Sequence, residues 1–198
     1  NITRKFFGEF SHTPNDWLLF TRLMAASPSP YAAYIKTPER TILSSSPECF
    51  LTLAEHHTLT TRPIKGSAAR SSQPSQDHFL AESLRNSEKN LAENLMIVDL
   101  MRNDLAQVCN PGSVRVEEFA GLYSYPTIHH LVSTVRAKKQ AESSVYDALR
   151  ACFPPGSMTG APKRAAIAWC RDQEGMERGI YSGALGWLSQ AGTFDFSV

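Results

Sequence analysis

Alternating apolar and polar residues predict a strand on each side of the histidine pair His56–His57. The first strand covers Cys49 to Glu55 and the second covers Thr58 to Arg62. A hairpin centred on the pair would place Glu48 opposite Lys65. Directly opposed residues of antiparallel strands have Cβ atoms about 5 Å apart. The pattern therefore predicts that a carboxylate and an amine share one patch.

The residues around this predicted pair favour a ligand site over a surface salt bridge. Pro47 and Pro63 interrupt the ladder beside both side chains, and prolines occur at the edges and ends of strands. Gly66 follows Lys65 immediately and would let a ligand approach the backbone closely. An exposed pair of charges alone contributes little to stability. We therefore expect the mouth of a site here.

The same patterns predict the other elements and an α+β fold, with largely antiparallel sheets and helices packed outside. Predicted strands cover residues 1–10, 31–35, 41–45, 114–118 and 127–135, and a last hairpin surrounds Ala191–Gly192. Predicted helices cover residues 17–26, 80–105, a segment from 143 or 144 to 152, and 163–172. A polar connector is predicted over residues 67–75.

The long predicted helix carries one apolar stripe at helical spacing. The stripe runs through Leu80, Leu84, Leu91, Leu95, Val98, Met101 and Leu105. Glu93 lies where the helix enters the core and projects away from the stripe. A carboxylate is costly there unless it is paired or bound to a metal. In the simpler interpretation its partner is Lys89, one turn back.

Composition and charge narrow the class of protein. The 198 residues are 42% apolar, which is enough for one substantial core in one domain. The net charge is +1 without a basic block, which argues against a nucleic-acid partner. No apolar run reaches the roughly 20 residues of a membrane span, so no membrane contact is expected. Four scattered cysteines indicate unpaired thiols in a reducing cytoplasm.

The two ends of the chain suggest a partial domain. The sequence begins abruptly, and it finishes on an alternating strand pattern over residues 193–198 without a stop signal. We therefore expect residues 1–198 to form one catalytic domain that is truncated at both ends.

A glycine-rich segment from Phe153 to Lys163 precedes the last predicted helix. Its glycines and lysine do not have the spacing of a phosphate-binding Walker loop. Pro162 suits the first helical turn, and Thr159 can cap the helix. Free N–H groups and the dipole at such a helix start favour an anion. The segment therefore predicts an anion site.

Five motifs in these segments resemble the chorismate-utilising enzymes, the family of anthranilate synthase, isochorismate synthase and aminodeoxychorismate synthase. They are Ser46-Pro47-Glu48, Pro63-Ile64-Lys65-Gly66, the helix motif from Ala92 to Asp104, His129-His130-Leu131-Val132-Ser133, and Gly156-Ser157-Met158-Thr159-Gly160-Ala161-Pro162-Lys163. The resemblance implies the α+β fold of anthranilate synthase. The lysine of Pro-Ile-Lys-Gly resembles the aminodeoxychorismate synthase branch, because anthranilate synthases usually carry alanine there.

The resemblance also implies roles for individual residues. Lys65, Glu48 and His130 would be catalytic, with Lys65 as the nucleophile and Glu48 as an acid that needs a raised pKa. Glu93 would ligate Mg²⁺, the implied cofactor. The implied substrate contacts are Gly66, Ser67, Thr159, Gly160, Tyr181 and Gly183. We expect Lys65, Glu48 and Glu93 to face a common cavity.

The implied reaction converts chorismate and ammonia to 4-amino-4-deoxychorismate through a covalent lysine adduct, on the route to para-aminobenzoate and folate. A glutamine amidotransferase subunit would supply the ammonia. Two alternatives stay open. The chain could make anthranilate or isochorismate, or it could be a non-catalytic fragment of such an enzyme.

Overall fold

The protein is described by a computed structural model that covers residues 1–54 and 57–198. The turn predicted at His56–His57 lies partly outside the described residues. The helices are α1 (Asp16–Ala26), α2 (Pro74–Arg85), α3 (Glu88–Ala106), α4 (Val145–Cys152) and α5 (Lys163–Glu174). The strands are β1 (Tyr31–Lys36), β2 (Thr41–Ser46), β3 (Cys49–Ala54), β4 (Thr58–Arg62), β5 (Ile64–Ala69), β6 (Arg115–Ser124), β7 (Ile128–Lys138), β8 (Leu185–Leu188) and β9 (Phe194–Ser197).

The strands form two antiparallel sheets. In the larger sheet β7 is central, with β6 on one edge and β4 and β5 on the other. Beyond β4 the order continues with β3, β9 and β8. The smaller sheet consists of β1 and β2, against which α1 packs. Helices α2 and α3 pack against β5, β6 and β7, so the predicted α+β fold is confirmed.

Strands β4 and β5 form one line along the edge of β7. Thr61 pairs with Val135 and Ile64 pairs with Val132, so the register continues unchanged across Pro63. Proline has no N–H group to donate to the ladder, which explains the break between the two strands. The pattern of the sequence predicted the break but not the continuation.

The register of the β3–β4 hairpin differs from the predicted one. Cys49 lies opposite Arg62, and a bulge beside Phe50 shifts the pairing. A bulge adds one residue to one strand, and alternation alone does not reveal it. Lys65 belongs to β5, which pairs with β7 and not with β3. The prediction that Lys65 lies directly opposite Glu48 is therefore wrong.

The long predicted helix is in fact two helices. Helix α2 ends at Arg85, and the Ser87 hydroxyl then accepts a hydrogen bond from the Asn90 amide to begin α3. The buried face of α3 also differs from the predicted stripe, because Leu95 is 61% exposed. That face consists of Asn94, Ile97, Val98, Met101, Asp104 and Leu105.

The main core lies between the larger sheet and helices α3 and α4. Its buried side chains come from β3, β4, β7 and β9 and from the two helices, and they include Phe50, Leu51, Leu59, Val98, Met101, Leu105, Val135 and Phe194. Each of these side chains is removed from water by residues distant in sequence. The core therefore fixes α3 against the strands that carry the predicted site residues.

The remaining elements agree with the prediction in part. Strand β6 continues to Ser124, beyond the predicted end at residue 118. Residues 67–75, predicted as a connector, include the end of β5 and the start of α2. Ser144 caps α4 and forms a capping box with Asp147. Residues 1–10, predicted as a strand, contain no regular element. The four cysteines are buried and their thiols are free. Within the described ranges, no helix has both the length and the apolarity to cross a membrane.

Candidate active site

Lys65 lies in a β-bulge of β5. Lys65 and Gly66 together face one residue of β7, Leu131. Gly66 has a φ of +96°, and a Cβ atom at this position would lie 3.0 Å from the side chain of Asn90. Glycine is therefore required here on two counts. The Lys65 amine donates a hydrogen bond to the carbonyl oxygen of Ser157 at 2.6 Å.

Glu48 immediately precedes β3 and has a carboxyl group that titrates close to neutrality. Burial raises its pKa to about 7. The Ser157 hydroxyl, the backbone of Ile64 and the positive charge of Lys65 oppose this rise. The Ser157 hydroxyl is buried and makes no hydrogen bond of ordinary geometry with the described residues. Glu48 and Lys65 thus approach Ser157 by different atoms.

The segment that carries Ser157 is a short 3₁₀ turn, Gly156–Met158, held close against α3. A Cβ atom at Gly156 would lie 2.5 Å from Met101 Cε and 2.8 Å from Leu100 Cδ2. A side chain at this position would therefore displace core residues of α3. The close approach brings the Ser157 carbonyl oxygen within reach of Lys65.

The end of the same segment differs from the prediction. The Thr159 hydroxyl donates to the carbonyl oxygens of Pro155, at 3.2 Å, and Gly156, at 3.4 Å. The N-cap of α5 is Pro162, which has no side-chain capping bond. The prediction that Thr159 caps this helix is therefore wrong, because its hydroxyl turns back into its own loop.

The predicted site residues lie around two cavities. The first has a volume of about 370 Å³ and is lined by Lys65, Glu93, Gly156, Ser157, Thr159 and Gly160, among others. The second has a volume of about 570 Å³ and is lined by Pro47, Glu48, Met158, Tyr181, Gly183 and others. Ser157 and Met158 are consecutive residues, so the 3₁₀ turn stands between the two spaces. The expectation that Lys65, Glu48 and Glu93 face one common cavity is therefore corrected, because Glu48 lines the second space.

Glu93 projects from α3 into the first cavity. Its side chain is 46% exposed and lies 3.9 Å from the amine of Lys89, measured between Glu93 Oε1 and Lys89 Nζ. The simpler interpretation of this carboxylate, an ion pair one turn apart, is thus present. Among the described residues, no three acidic, histidine or cysteine side chains converge as a metal-binding group. Mg²⁺ usually binds through one or two carboxylates, waters and oxygens of the substrate, so Glu93 fits as a single protein ligand.

His130 lies on β7 and supports β5. Its Nδ1 atom and the Ser67 hydroxyl are 2.7 Å apart, and its ring makes an edge contact with Tyr125. Burial lowers the pKa of His130, and the backbone of Gly66 opposes this effect. His130 lines neither of the two cavities described above. The strand pairing therefore brings His130 and Ser67 together beside the Lys65 bulge.

Arg178 is a functional candidate that the sequence analysis missed. Arg178 donates to the Met158 carbonyl oxygen at 2.7 Å and to the Ser182 hydroxyl at 3.2 Å, and it forms an ion pair with Glu174 at 2.6 Å. It thus joins the 3₁₀ turn to the segment that carries Tyr181 and Gly183. The sequence did contain one signal for Arg178, because Glu174 carries the opposite charge four residues earlier. Such pairs are common, so this spacing is a weak indication of function.

Comparisons with known proteins identify the family. A family model described as chorismate binding enzyme matches residues 1–198. The aminodeoxychorismate synthase component 1 of Klebsiella aerogenes is 43% identical over 198 residues, which are 100% of this chain and 43% of that protein. The chloroplastic aminodeoxychorismate synthase of Arabidopsis thaliana is 47% identical over 182 residues, which are 91% of this chain and 20% of that protein.

A solved structure supports the same relationship. The crystal structure of anthranilate synthase component I from Streptococcus pneumoniae TIGR4 superposes with a TM-score of 0.83 and is 32% identical. The match covers 94% of this chain and 41% of that one. The chain therefore spans less than half the length of these relatives.

Proposed function

The chain belongs to the chorismate-binding enzyme family, and from that premise we propose that it carries catalytic residues of an aminodeoxychorismate synthase. The identities of 43% and 47% to two relatives of that name support the proposal. The observation that carries it is local. Lys65 donates to the Ser157 carbonyl, and Glu48, with a pKa of about 7, lies on the other side of the same residue.

In the proposed reaction Lys65 is the nucleophile and Glu48 is the acid. The neutral amine of Lys65 attacks ring C2 of chorismate, the two conjugated double bonds of the ring each shift by one position, and the C4 hydroxyl leaves as water with a proton from Glu48. Ammonia then attacks C4, the two double bonds shift back, and the bond between C2 and the lysine nitrogen breaks, so that Lys65 leaves as the neutral amine. The new ammonium group at C4 returns a proton to Glu48. The product is 4-amino-4-deoxychorismate. A carboxyl group with a pKa of about 7 can donate a proton near neutral pH, which supports this assignment.

The proposal requires the Lys65 amine to leave Ser157. Its hydrogen bond to the Ser157 carbonyl points the amine at the turn that separates the two cavities. Binding of the substrate would replace this bond with contacts to the substrate. The turn would then shift so that Lys65 and Glu48 act on the same molecule.

We propose Glu93 as the residue that holds Mg²⁺. Its acidic side chain lines the first cavity together with Lys65, and an exposed fraction of 46% leaves the carboxylate accessible. When bound, the ion supplies a positive charge that attracts a substrate carboxylate. Binding of the ion would break the contact between Lys89 and Glu93. This ion pair is exposed to solvent and therefore contributes little.

The other predicted residues are proposed as contacts of chorismate. Gly160 and Thr159 line the first cavity, and Tyr181 and Gly183 line the second. Gly66 and Ser67 follow Lys65 on β5, where Ser67 contacts His130. The name of the Klebsiella aerogenes relative, component 1, supports a second component, and we propose a glutamine amidotransferase that supplies ammonia.

A trapping experiment tests the nucleophile directly. The purified protein is incubated with chorismate and Mg²⁺ without ammonia, and Lys65 is examined for an adduct by peptide mass spectrometry. We expect an adduct that disappears when ammonium is added, and none in Lys65→Ala. Lys36→Ala, a change at an exposed lysine, is the matched control and should retain the adduct. Turnover by Lys65→Ala at the wild-type rate would show that Lys65 is not the nucleophile.

Two measurements separate the alternatives. Chromatography of the products distinguishes 4-amino-4-deoxychorismate from anthranilate and isochorismate. Titration of chorismate with and without Mg²⁺ distinguishes a competent site from an inactive fragment, because only a competent site should bind more tightly with the ion.

A further inference from the structure

A buried side-chain amide of α3 forms a hydrogen bond to the bulge that carries Lys65. A bulge leaves one residue without its regular partner in the ladder. Here the Lys65 carbonyl oxygen accepts a hydrogen bond from Asn94 Nδ2 at 2.5 Å. Asn94 is only 1% exposed and immediately follows Glu93 in α3. The helix that presents Glu93 is thus bonded directly to the backbone of Lys65.

The orientation of the Asn94 amide is determined by its neighbours. Its nitrogen also donates to the Asn90 carbonyl oxygen at 3.0 Å, and its oxygen accepts from the Ser133 hydroxyl at 3.1 Å. Rotating the amide by half a turn would place its oxygen against two carbonyl oxygens. Such a rotation is therefore unfavourable in a buried site.

Ser133 extends this network across β7. It is fully buried, and its hydroxyl accepts a hydrogen bond from the Ala120 amide at 3.0 Å. Ala120 belongs to a bulge in β6, between Glu118 and Gly121, and has a φ of +48°. The Ser133 amide donates to the Pro63 carbonyl oxygen at 3.1 Å, at the break between β4 and β5. One set of bonds therefore connects irregular backbone on both edges of β7.

We propose that Asn94 is a positioning residue that holds Lys65, and that Ser133 orients Asn94 for this task. A bulged backbone without this support would have an unbonded carbonyl next to the reacting side chain. The effect on turnover rests on the proposed function, whereas the effect on the location of the Lys65 amine does not. Displacing a reacting group by about 1 Å can reduce a rate about 100-fold.

Two kinds of variant separate the parts of the network. Asn94→Ala removes both bonds of the amide nitrogen, and Asn94→Asp keeps an acceptor for Ser133 but turns carboxylate oxygen toward the Lys65 carbonyl. Ser133→Ala keeps Asn94 and removes its orienting partner, together with the acceptor of the Ala120 amide. Thr61→Val is the matched control, because Thr61 is also buried and its hydroxyl donates a long, weak hydrogen bond to Met101 Sδ at 3.8 Å.

The first readout is the reactivity of the Lys65 amine in the folded protein. The protein is treated briefly with acetic anhydride, and acetylation of Lys65 is compared by mass spectrometry with that of exposed Lys36. We expect Lys65 to react at least about threefold faster in both Asn94 variants, because the amine is no longer held on the Ser157 carbonyl. Ser133→Ala should change the reactivity in the same direction by less, and Thr61→Val should leave it unchanged.

The second readout is turnover by the purified protein with chorismate, ammonium and Mg²⁺. We expect kcat to fall about 100-fold in the Asn94 variants and about 10-fold in Ser133→Ala, with KM for chorismate within about threefold of wild type. A purely structural role would lower the unfolding midpoint in denaturant but leave kcat and Lys65 acetylation of the folded fraction unchanged.

The outcomes distinguish the two proposals. If Lys65→Ala is fully active but acetylation still rises in Asn94→Ala, the proposed function fails and the positioning role stands. If the Asn94 variants do not fold, Ser133→Ala tests the positioning role instead. This substitution removes fewer atoms than Asn94→Ala and leaves Asn94 in place. Acetylation and kcat that match those of Thr61→Val in every folded variant would overturn the positioning role.

Discussion

Replacing Glu48 by glutamine should stabilise the protein at alkaline pH and have little effect at acidic pH. Burial raises the pKa of the folded carboxyl to about 7 from its ordinary value of 4.5. The folded state therefore holds this proton more tightly than the unfolded chain does. Its contribution to stability is fully present below the unfolded pKa and is lost as the pH rises through the folded value. Glutamine has the same shape and does not ionise.

The size of the effect follows from the two pKa values. A difference of one pKa unit corresponds to about 1.4 kcal/mol. The change from 4.5 to about 7 therefore corresponds to an upper bound of about 3.5 kcal/mol in the free energy of unfolding. Most of the change should occur between these two pKa values. Glutamine should thus leave the protein more stable than wild type by up to that amount above the folded pKa.

Urea unfolding of wild type and Glu48→Gln measures this difference from about pH 5 to about pH 9. Other titrating groups cancel when the two curves are subtracted at each pH. Glu142→Gln, a change of the same kind at an exposed glutamate, should give a difference that is flat with pH. A flat difference for Glu48→Gln as well would refute the claim that burial of this carboxyl controls its protonation.

Two further predictions concern residues near the site. Lys163→Met should lower the free energy of unfolding by about 3–5 kcal/mol in urea, because it leaves the Asp104 carboxylate unpaired. That side chain is 5% exposed, and the double variant Lys163→Met/Asp104→Asn should recover part of the loss. Gly66→Ala should destabilise the protein more than Gly112→Ala in the same assay. Both have positive φ, but only at Gly66 would a Cβ atom meet another side chain. Equal losses at the two glycines would contradict this reasoning.

The fold was largely predictable because it depends on patterns that the sequence displays. Alternation located most strands, and capping residues such as Ser144 located a helix start. The bulge at Lys65 and the one beside Phe50 were not predictable. Each changes the register by one residue, and the energy that stabilises it comes from partners elsewhere in the chain. The Asn94 amide that bonds the Lys65 carbonyl is 29 positions away.

The candidate site shows the same division. The sequence led to Glu48 and Lys65 by a hairpin register that the structure contradicts, although both residues approach Ser157. Asn94 was missed because the predicted stripe of the helix passed through Leu95. Asn94 has helical spacing to Val98, and an amide on an apolar face was an available signal. Such an amide needs buried partners, so it indicates a polar contact that alternation cannot supply.

In the proposed reaction, the 3₁₀ turn at Gly156–Met158 would have to shift before Lys65 and Glu48 could act on one molecule. Gly156 lies close against α3, where a Cβ atom would meet the ends of the Met101 and Leu100 side chains. Ser157 is held by the Lys65 amine, and Met158 is held by Arg178. A hydrogen bond to a charged group contributes about 1.5–3 kcal/mol. In the proposed reaction, a carboxylate of chorismate that pairs with the amine would offset the loss of the first bond, whereas a neutral ligand has no equivalent interaction. We therefore expect the negative charge of the ligand to favour opening of the turn as well as binding.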